Sequence, residues 1–237
     1  MTKIRDRDAV AHGTFYFVHL EDDFAVAAID SRANYPGSHR DDAIKIAPLD
    51  AYTIFLCQGI SIGEGFNATE VAKKIFAQHV APVDPYELAS SWATEMRTHI
   101  EMLWKTDPAL VNGMRPDAAS GVFLGHADTR GVVGAVAQIQ QETPSVFKKI
   151  VNRMQSGDDI STGGHEEIIQ EVNAYSSDRS IILRSKFADP GNNRPTFLAT
   201  MARMYVTAVR DWTGDNEIGG EIAAIILERG RKYRWLH

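Results

Sequence analysis

Two short apolar runs near the beginning of the chain are separated by an acidic turn. The runs cover residues 15–20 and 24–29, and the turn between them is Glu21-Asp22-Asp23. Short apolar runs split by a charged turn predict a β-hairpin. Pairing of the two runs would bring Thr14, which opens the first strand, beside Asp30, which closes the second.

The next part of the chain predicts two more strands and then two helices. Apolar segments at residues 45–49 and 52–57 predict two more strands, which we expect to complete a meander on the hairpin. Helical spacing then starts near Asn67 and includes Val80, and a longer helix is predicted over residues 86–104. We expect these two helices to cover one face of the sheet and residues 107–116 to form an irregular link.

The second half of the chain predicts a second sheet and two further helices. Its elements are predicted from apolar runs and helical spacing, with Gly, Pro and Asp at several of the turns between them. They are the strands 119–125 and 132–139, the helices 166–175 and 197–212, the strand 222–227 and an edge strand within 232–236, with a loop at 176–193. The order of elements predicts an α+β fold, a four-layer αββα sandwich.

Composition limits the range of functions. A chain of 237 residues with 44% hydrophobic residues fits a single domain, here residues 14–237, with a leader at 1–13 that is a propeptide or disordered. A net charge of −6 argues against nucleic acid or an anionic membrane as partner, and no apolar stretch is long enough to span a bilayer.

The leader and the cysteine content indicate the cellular compartment in which the protein works. The leader is polar and has no hydrophobic segment, so it is not a secretory signal. Cys57 is the single cysteine, so no intramolecular disulfide can form, and we expect a reducing, cytoplasmic setting. The 8 histidines show no metal-ligand spacing, so we predict no metal. We also predict no cofactor.

A threonine beside a buried acid is a candidate nucleophile. Its hydroxyl reacts poorly until a base removes the proton. If that base is the residue's own α-amine, Thr14 must become the first residue of the mature chain. An uncleaved Thr14 has a peptide nitrogen instead, which cannot act as the base.

Several segments together resemble the N-terminal-nucleophile (Ntn) hydrolases, and within them the proteasome β-subunit and its bacterial relatives. The Thr14 to Asp30 interval equals that of the family, and Lys45 stands one residue closer than the family's lysine. The matching segments are His12-Gly13-Thr14, Asp30-Ser31-Arg32-Ala33, Lys45-Ile46, Gly59 at the end of an apolar run, and Asp215 followed by Gly219-Gly220.

The resemblance implies a role for each matched residue. The chain would cut itself between Gly13 and Thr14, and Thr14 would be the nucleophile. The remaining catalytic roles fall to Asp30, Lys45 and Asp215, the oxyanion-binding N–H to Gly59, and substrate-groove positions to Ser31 and Cys57. The implied partners are a peptide or unfolded-protein substrate, further copies of the chain in a homo-oligomeric ring, and an ATPase regulator.

Two questions stay open at this level. The family's glycine-serine-glycine step matches either residues 155–157 or residues 161–165. Either match leaves more chain before Asp215 than the family has, so the resemblance implies an insertion at 176–193. Ile218 stands where the family commonly has a serine near the nucleophile's amine. A non-catalytic subunit that serves assembly or binding, and an Ntn amidohydrolase of small substrates, are therefore alternatives to a threonine peptidase.

Overall fold

The computed structural model describes eight stretches of the chain. They are residues 15–35, 38–63, 65–80, 82–113, 117–126, 131–162, 194–213 and 219–236.

These residues form fourteen strands and four helices. The strands are β1 (Tyr16–Leu20), β2 (Phe24–Asp30), β3 (Ala33–Tyr35), β4 (Ser38–Arg40), β5 (Ile46–Pro48), β6 (Thr53–Gly59), β7 (Ile62–Gly63), β8 (Phe66–Asn67), β9 (Asp117–His126), β10 (Val132–Thr143), β11 (Val146–Arg153), β12 (Asp159–Thr162), β13 (Ile222–Glu228) and β14 (Arg234–Leu236). The helices are α1 (Ala68–Phe76), α2 (Pro85–Thr106), α3 (Pro108–Gly113) and α4 (Arg194–Thr213).

The predicted hairpin is confirmed. Strands β1 and β2 pair antiparallel, with Tyr16 opposite Ile29 and Leu20 opposite Ala25. They lie inside a five-stranded sheet of order β12-β1-β2-β13-β14. All seven residues of β2 are buried, so this strand is covered on both faces and forms the middle of the sheet.

The predicted meander is wrong. Strands β5 and β6 form as expected, but they belong to the second five-stranded sheet, of order β11-β10-β9-β6-β5. There β6 pairs with β9, which places Cys57 opposite Gly121, while the free edge of β2 is taken by β13. Short strands with both faces buried carry no alternation that would specify which neighbour they pair with.

The two sheets share one hydrophobic cluster, and helices contact their other faces. The shared cluster contains Tyr16 and Ile225 from the first sheet and Leu56 and Val122 from the second. Helices α1 and α2 pack on the second sheet, and α4 packs on the first. These contacts are compatible with the four-layer αββα sandwich, which stays a prediction.

Helix boundaries differ from the prediction in two places. Helix α1 begins after Asn67, whose side chain caps it, and ends at Phe76, so Val80 lies outside it and is 91% exposed. Part of the expected irregular link forms the short helix α3, which begins directly after Asp107, the C-cap of α2.

The second half of the chain contains two strands that the sequence did not predict. Strand β10 continues to Thr143 and turns into β11, whose residues are largely exposed and lack a clear alternation. Strand β12 pairs with β1. Helix α4 and strands β9, β10, β13 and β14 confirm the remaining predictions, whereas the predicted helix at 166–175 and the insertion at 176–193 lie outside the described residues.

Among the helices that the structure describes, none combines the length and apolar character needed to cross a lipid bilayer.

Candidate active site

A buried ion pair lies at the end of β2. Asp30 is the last residue of that strand, and Lys45 directly precedes β5. Lys45 Nζ lies 3.2 Å from both carboxylate oxygens of Asp30, and the two side chains are 2% and 0% exposed. The two residues are thus adjacent, as catalytic roles in one site would require, while those roles stay predictions.

Backbone N–H groups from three separate segments also bind the Asp30 carboxylate. Its Oδ1 accepts a hydrogen bond from Phe15 N (2.9 Å), and its Oδ2 accepts hydrogen bonds from Arg32 N (3.1 Å) and Gly219 N (3.3 Å). The carboxylate therefore has a fixed orientation at the junction of strand β1, the loop after β2 and the loop before β13.

Burial dominates the electrostatics of Lys45. Loss of water around the ammonium group lowers the pKa of Lys45 below the ordinary lysine value, and the Asp30 carboxylate opposes this shift. A lysine of this kind places a positive charge in a low-dielectric site, where it acts strongly on neighbouring groups.

Two of the predicted catalytic residues, Thr14 and Asp215, lie outside the described residues, as do Gly13 and Ile218. The nearest described atom to the Thr14 position is Phe15 N, the nitrogen of the peptide bond that joins residues 14 and 15. That nitrogen is hydrogen bonded to Asp30.

The N–H of Gly59 points toward the Lys45 side of β6. Ile60 N donates to Ala118 O on β9 (2.9 Å), while Cys57 N donates to Lys45 O (3.0 Å) at the opposite edge. Successive N–H groups of a strand alternate between its edges. The Gly59 N–H therefore shares the edge of the Cys57 N–H, beyond the end of the short strand β5.

Replacement of Gly59 by alanine is expected to destabilise the fold. Gly59 has a φ of +76°, and an added Cβ would lie 2.6 Å from Ala118 O. Backbone strain of this kind costs about 1–3 kcal/mol, before the steric overlap with the carbonyl is added. Gly65 is the matched control, because it has a φ of +79° but no atom within 4 Å of the added Cβ.

Chemical denaturation of Gly59→Ala and Gly65→Ala separates strain from overlap. We expect the lower free energy of unfolding for Gly59→Ala. Equal values for the two variants would mean that the close approach to Ala118 does not constrain β6.

Cys57 is buried and lines a cleft of about 250 Å³ that also contacts Lys45. Its Sγ lies 3.9 Å from Thr69 Oγ1. Burial raises the pKa of the Cys57 thiol to about 11, so the thiol stays protonated near neutral pH. We refer to this space as the Cys57 cleft.

Ser31 lines a second and larger cleft, of about 400 Å³, together with Asp30 and Lys45. Its hydroxyl donates to Asp41 O and accepts a hydrogen bond from Glu221 N (2.9 Å). The hydroxyl thereby connects two loops, and its predicted contact with substrate is not tested by this arrangement.

Sequence reasoning assigned no role to Arg32 and Asp41, which form a two-point ion pair next to Asp30. Arg32 Nε and one terminal nitrogen donate to the two carboxylate oxygens of Asp41, at 2.6 and 2.9 Å. Arg32 is buried, and its guanidinium holds the pKa of Asp41 below its usual range. Gly219 packs against the guanidinium, which would have to shift to make room for a Cβ there. In the sequence, only the position of Arg32 directly after Asp30-Ser31 indicated that this arginine lies near the site.

One of the two segments that match the family's glycine-serine-glycine step lies far from the Asp30–Lys45 pair. Residues 155–157 form a turn at the opposite end of β1, where Gly157 N donates to Leu20 O (2.7 Å). The other alternative, 161–165, is described only in part: Ser161 lies in β12 opposite Phe17, and residues 163–165 lie outside the described stretches.

Within the described part of the chain, no group of three or more His, Cys, Asp or Glu side chains is arranged to hold a metal ion.

A comparison of the chain with protein-family models finds no match, and a comparison with curated proteins likewise finds none. The case for a function therefore depends on the geometry around Asp30 and Lys45.

Proposed function

We propose that this protein is a threonine-type peptide hydrolase with the αββα architecture of the proteasome β-subunit-like Ntn hydrolases. One observation carries the proposal. The buried Asp30–Lys45 pair lies against the N–H of Phe15, the residue that follows the predicted nucleophile. An acid and an ammonium group at this position are what an N-terminal threonine needs beside it.

The first proposed step is self-cleavage between Gly13 and Thr14, in which one water molecule is consumed, Gly13 gains a carboxyl group and the Thr14 peptide nitrogen becomes a free amine. That amine, directly or through a water, then takes the proton from its own hydroxyl. The positive charge of Lys45 disfavours protonation of nearby groups, and Asp30 fixes the lysine in place. Asp215 completes the set of charged groups in the proposal.

The Thr14 hydroxyl oxygen then attacks the substrate carbonyl, and the Gly59 N–H stabilises the developing oxyanion. A single donor of this kind can contribute about 3–4 kcal/mol to the transition state. The Thr14 amine passes the proton to the substrate nitrogen, which departs as an amine and leaves an ester with Thr14. Attack by water on that ester releases the acid and returns a proton to the Thr14 oxygen.

The proposed partners and location follow from the resemblance to the proteasome β-subunit family, since the structure contains a single chain. A homo-oligomeric ring, an ATPase that supplies unfolded protein, and a cytoplasmic setting belong to it. The single cysteine, Cys57, which is free and buried, supports a reducing compartment.

The intact mass of the purified full-length chain tests the proposal. We expect a mass that corresponds to a chain beginning at Thr14, together with hydrolysis of unstructured peptides. Thr14→Ala should retain residues 1–13 and lose hydrolysis. A wild-type chain that keeps its leader in the native assembly and cleaves no peptide would overturn the proposal.

A second candidate function is a non-catalytic assembly subunit. The observation in its favour is that Asp30 connects three chain segments through Phe15, Arg32 and Gly219. This is a structural role that requires no catalytic activity. Under this candidate, Thr14→Ala leaves the mass and the assembly unchanged apart from the substitution itself.

A further inference from the structure

A hydrogen bond between two buried hydroxyl groups joins the two five-stranded sheets near the candidate active site. Tyr16 lies in β1 of the first sheet, and Ser120 lies in β9 of the second sheet. The Tyr16 hydroxyl oxygen lies 3.2 Å from Ser120 Oγ, and both residues are 0% exposed. The mechanism proposed for Thr14 uses neither hydroxyl.

The two ends of this hydrogen bond lie close to the proposed nucleophile and to the proposed oxyanion donor. Tyr16 follows Thr14 by two residues in the chain. Ser120 is directly opposite Gln58 on β6, and the peptide bond between Gln58 and Gly59 contains the N–H that would bind the oxyanion. The hydrogen bond therefore connects the strand that follows the nucleophile to the strand that pairs with the oxyanion donor.

Polar side chains form a row across the second sheet at the level of Ser120. Gln58 on β6 and Gln138 on β10 are the two cross-strand neighbours of Ser120. All three side chains face the first sheet, because residues two positions away on these strands, such as Leu56 and Val122, belong to the cluster that the sheets share. Within the described residues, the buried Gln58 Oε1 has no hydrogen-bond partner. A buried polar row of this kind costs stability, so packing alone does not account for it.

The relative position of the two sheets matters for the proposed reaction, because the nucleophile precedes a strand of one sheet and the oxyanion donor lies in the other. Such groups must be held within about 0.5 Å of the productive geometry. The hydrophobic effect is non-directional, whereas a hydrogen bond weakens steeply when its distance or its angle changes. A hydrogen bond between the sheets therefore specifies their relative position more sharply than apolar contacts do.

The Asp30–Lys45 pair is a second polar contact between the two sheets. Asp30 ends β2 of the first sheet, and Lys45 directly precedes β5 of the second. In the second sheet, β6 lies between β5 and β9, so the two contacts lie on opposite flanks of the strand that carries Gly59. One contact fixes a distance, and a second contact on the other flank also restricts rotation of one sheet against the other.

We propose that Tyr16 and Ser120 are positioning residues of the hydrolase, and that their hydrogen bond fixes the separation between the Thr14 hydroxyl and the Gly59 N–H. The inference depends on the proposed hydrolase function and adds two residues to its site. Neither hydroxyl touches the substrate or transfers a proton. The hydrogen bond acts on the geometry in which the transition state forms, so it affects kcat and not the binding of substrate.

Steady-state hydrolysis of a single peptide anilide by the full-length protein measures this effect. Tyr16→Phe and Ser120→Ala each remove the hydrogen bond and keep most of the packing. We expect kcat to fall about tenfold or more in each variant, with KM within about twofold of the wild-type value. The double variant should be no slower than the slower single variant, because the two hydroxyls act through one hydrogen bond.

Two controls separate the geometry of the site from folding and from self-cleavage. Intact mass gives the fraction of each preparation that begins at Thr14, and kcat is calculated for that fraction. Trp92→Phe is the matched variant, because it removes another buried hydrogen bond between elements, from Trp92 Nε1 to Ala68 O at 3.0 Å, with a comparable loss of stability. Its kcat should equal the wild-type value.

The outcomes distinguish this inference from the proposed function. Unchanged kcat in the folded Tyr16→Phe and Ser120→Ala variants, a change in KM alone, or additive losses in the double variant would overturn the positioning role and leave the hydrolase function standing. Failure of both single variants to fold would overturn it as well, since the hydrogen bond would then serve the fold. Folded variants that no longer cleave their leader, beside a cleaved Trp92→Phe, would support it. Absence of hydrolysis by the wild-type chain, with the leader retained, would overturn both proposals.

Discussion

Lys45→Met is expected to lower the free energy of unfolding by about 3–5 kcal/mol, because it leaves the Asp30 carboxylate buried without its counter-ion. The Asp30 side chain is 0% exposed, so water cannot replace the lost ammonium group. Methionine keeps most of the apolar stem of the lysine, and the loss therefore reports mainly on charge. Denaturant titration followed by circular dichroism measures the change.

Lys74→Met is the matched control for this substitution. Lys74 is 68% exposed, and its Nζ lies 3.9 Å from Glu95, so its removal should change stability by no more than about 0.5 kcal/mol. A loss in Lys45→Met no larger than the loss in Lys74→Met would mean that the buried pair does not support the fold.

A double-mutant cycle with Asp30→Asn tests whether the two charges depend on each other. Each single variant leaves one buried charge without its partner, whereas the double variant leaves none. We therefore expect the double variant to lose less stability than the sum of the two single losses.

The Asp30–Lys45 pair should also make the free energy of unfolding depend on pH in the alkaline range. Burial lowers the pKa of Lys45 below 10.5, so between the lowered value and 10.5 the unfolded chain binds more protons than the folded chain. Stability contributed through this group rises with pH across that window. The rise should be absent from Lys45→Met, and the difference between the two pH profiles isolates it from other titrating groups.

Trp92→Ala is expected to cost about 3–5 kcal/mol, the usual range for removal of a large buried aromatic side chain. Trp92 is 0% exposed. Its ring packs against Phe55 and Phe123, with centroids 5.5 and 6.3 Å apart. Its indole N–H donates to Ala68 O at 3.0 Å, which connects α2 to the first turn of α1.

Two further variants separate packing from hydrogen bonding at this position. Trp92→Phe keeps most of the apolar area and removes the hydrogen bond to Ala68 O, so it should cost less, about 1–3 kcal/mol. Met102→Ala on the same helix removes a side chain that is 49% exposed and should cost no more than about 0.5 kcal/mol. A Trp92→Ala loss as small as that of Met102→Ala would show that α2 is not anchored through Trp92.

The local elements were the most predictable part of the fold. The hairpin needed only two apolar runs and the acidic turn between them, and α4 needed only helical spacing after Pro195. Strands β11 and β12 could not be predicted, because β11 is largely exposed and neither strand shows a clear alternation. The end of α1 was misplaced because Val80 continued the helical spacing although it is 91% exposed.

The candidate site was predictable only where the residues match a known pattern. Asp30, Lys45 and Gly59 were identified in this way, and the Asp30–Lys45 contact is present. Asp41 had no such match, and its pairing with Arg32 depends on the path of the segment between β2 and β5, which includes strands β3 and β4. The catalytic roles of Thr14 and Asp215 remain predictions, because both residues lie outside the described residues.

By itself, the sequence determined most of the segments of this chain that fold into strands and helices, and which residue types could carry chemistry, because periodicity and side-chain character are local properties. The tertiary structure alone decided that β6 joins β9 instead of the hairpin, and that Gly219, 189 residues from Asp30, donates to its carboxylate. The physical reason is that burial of an apolar face specifies that a strand must be covered, whereas its neighbour depends on how all the strands pack together.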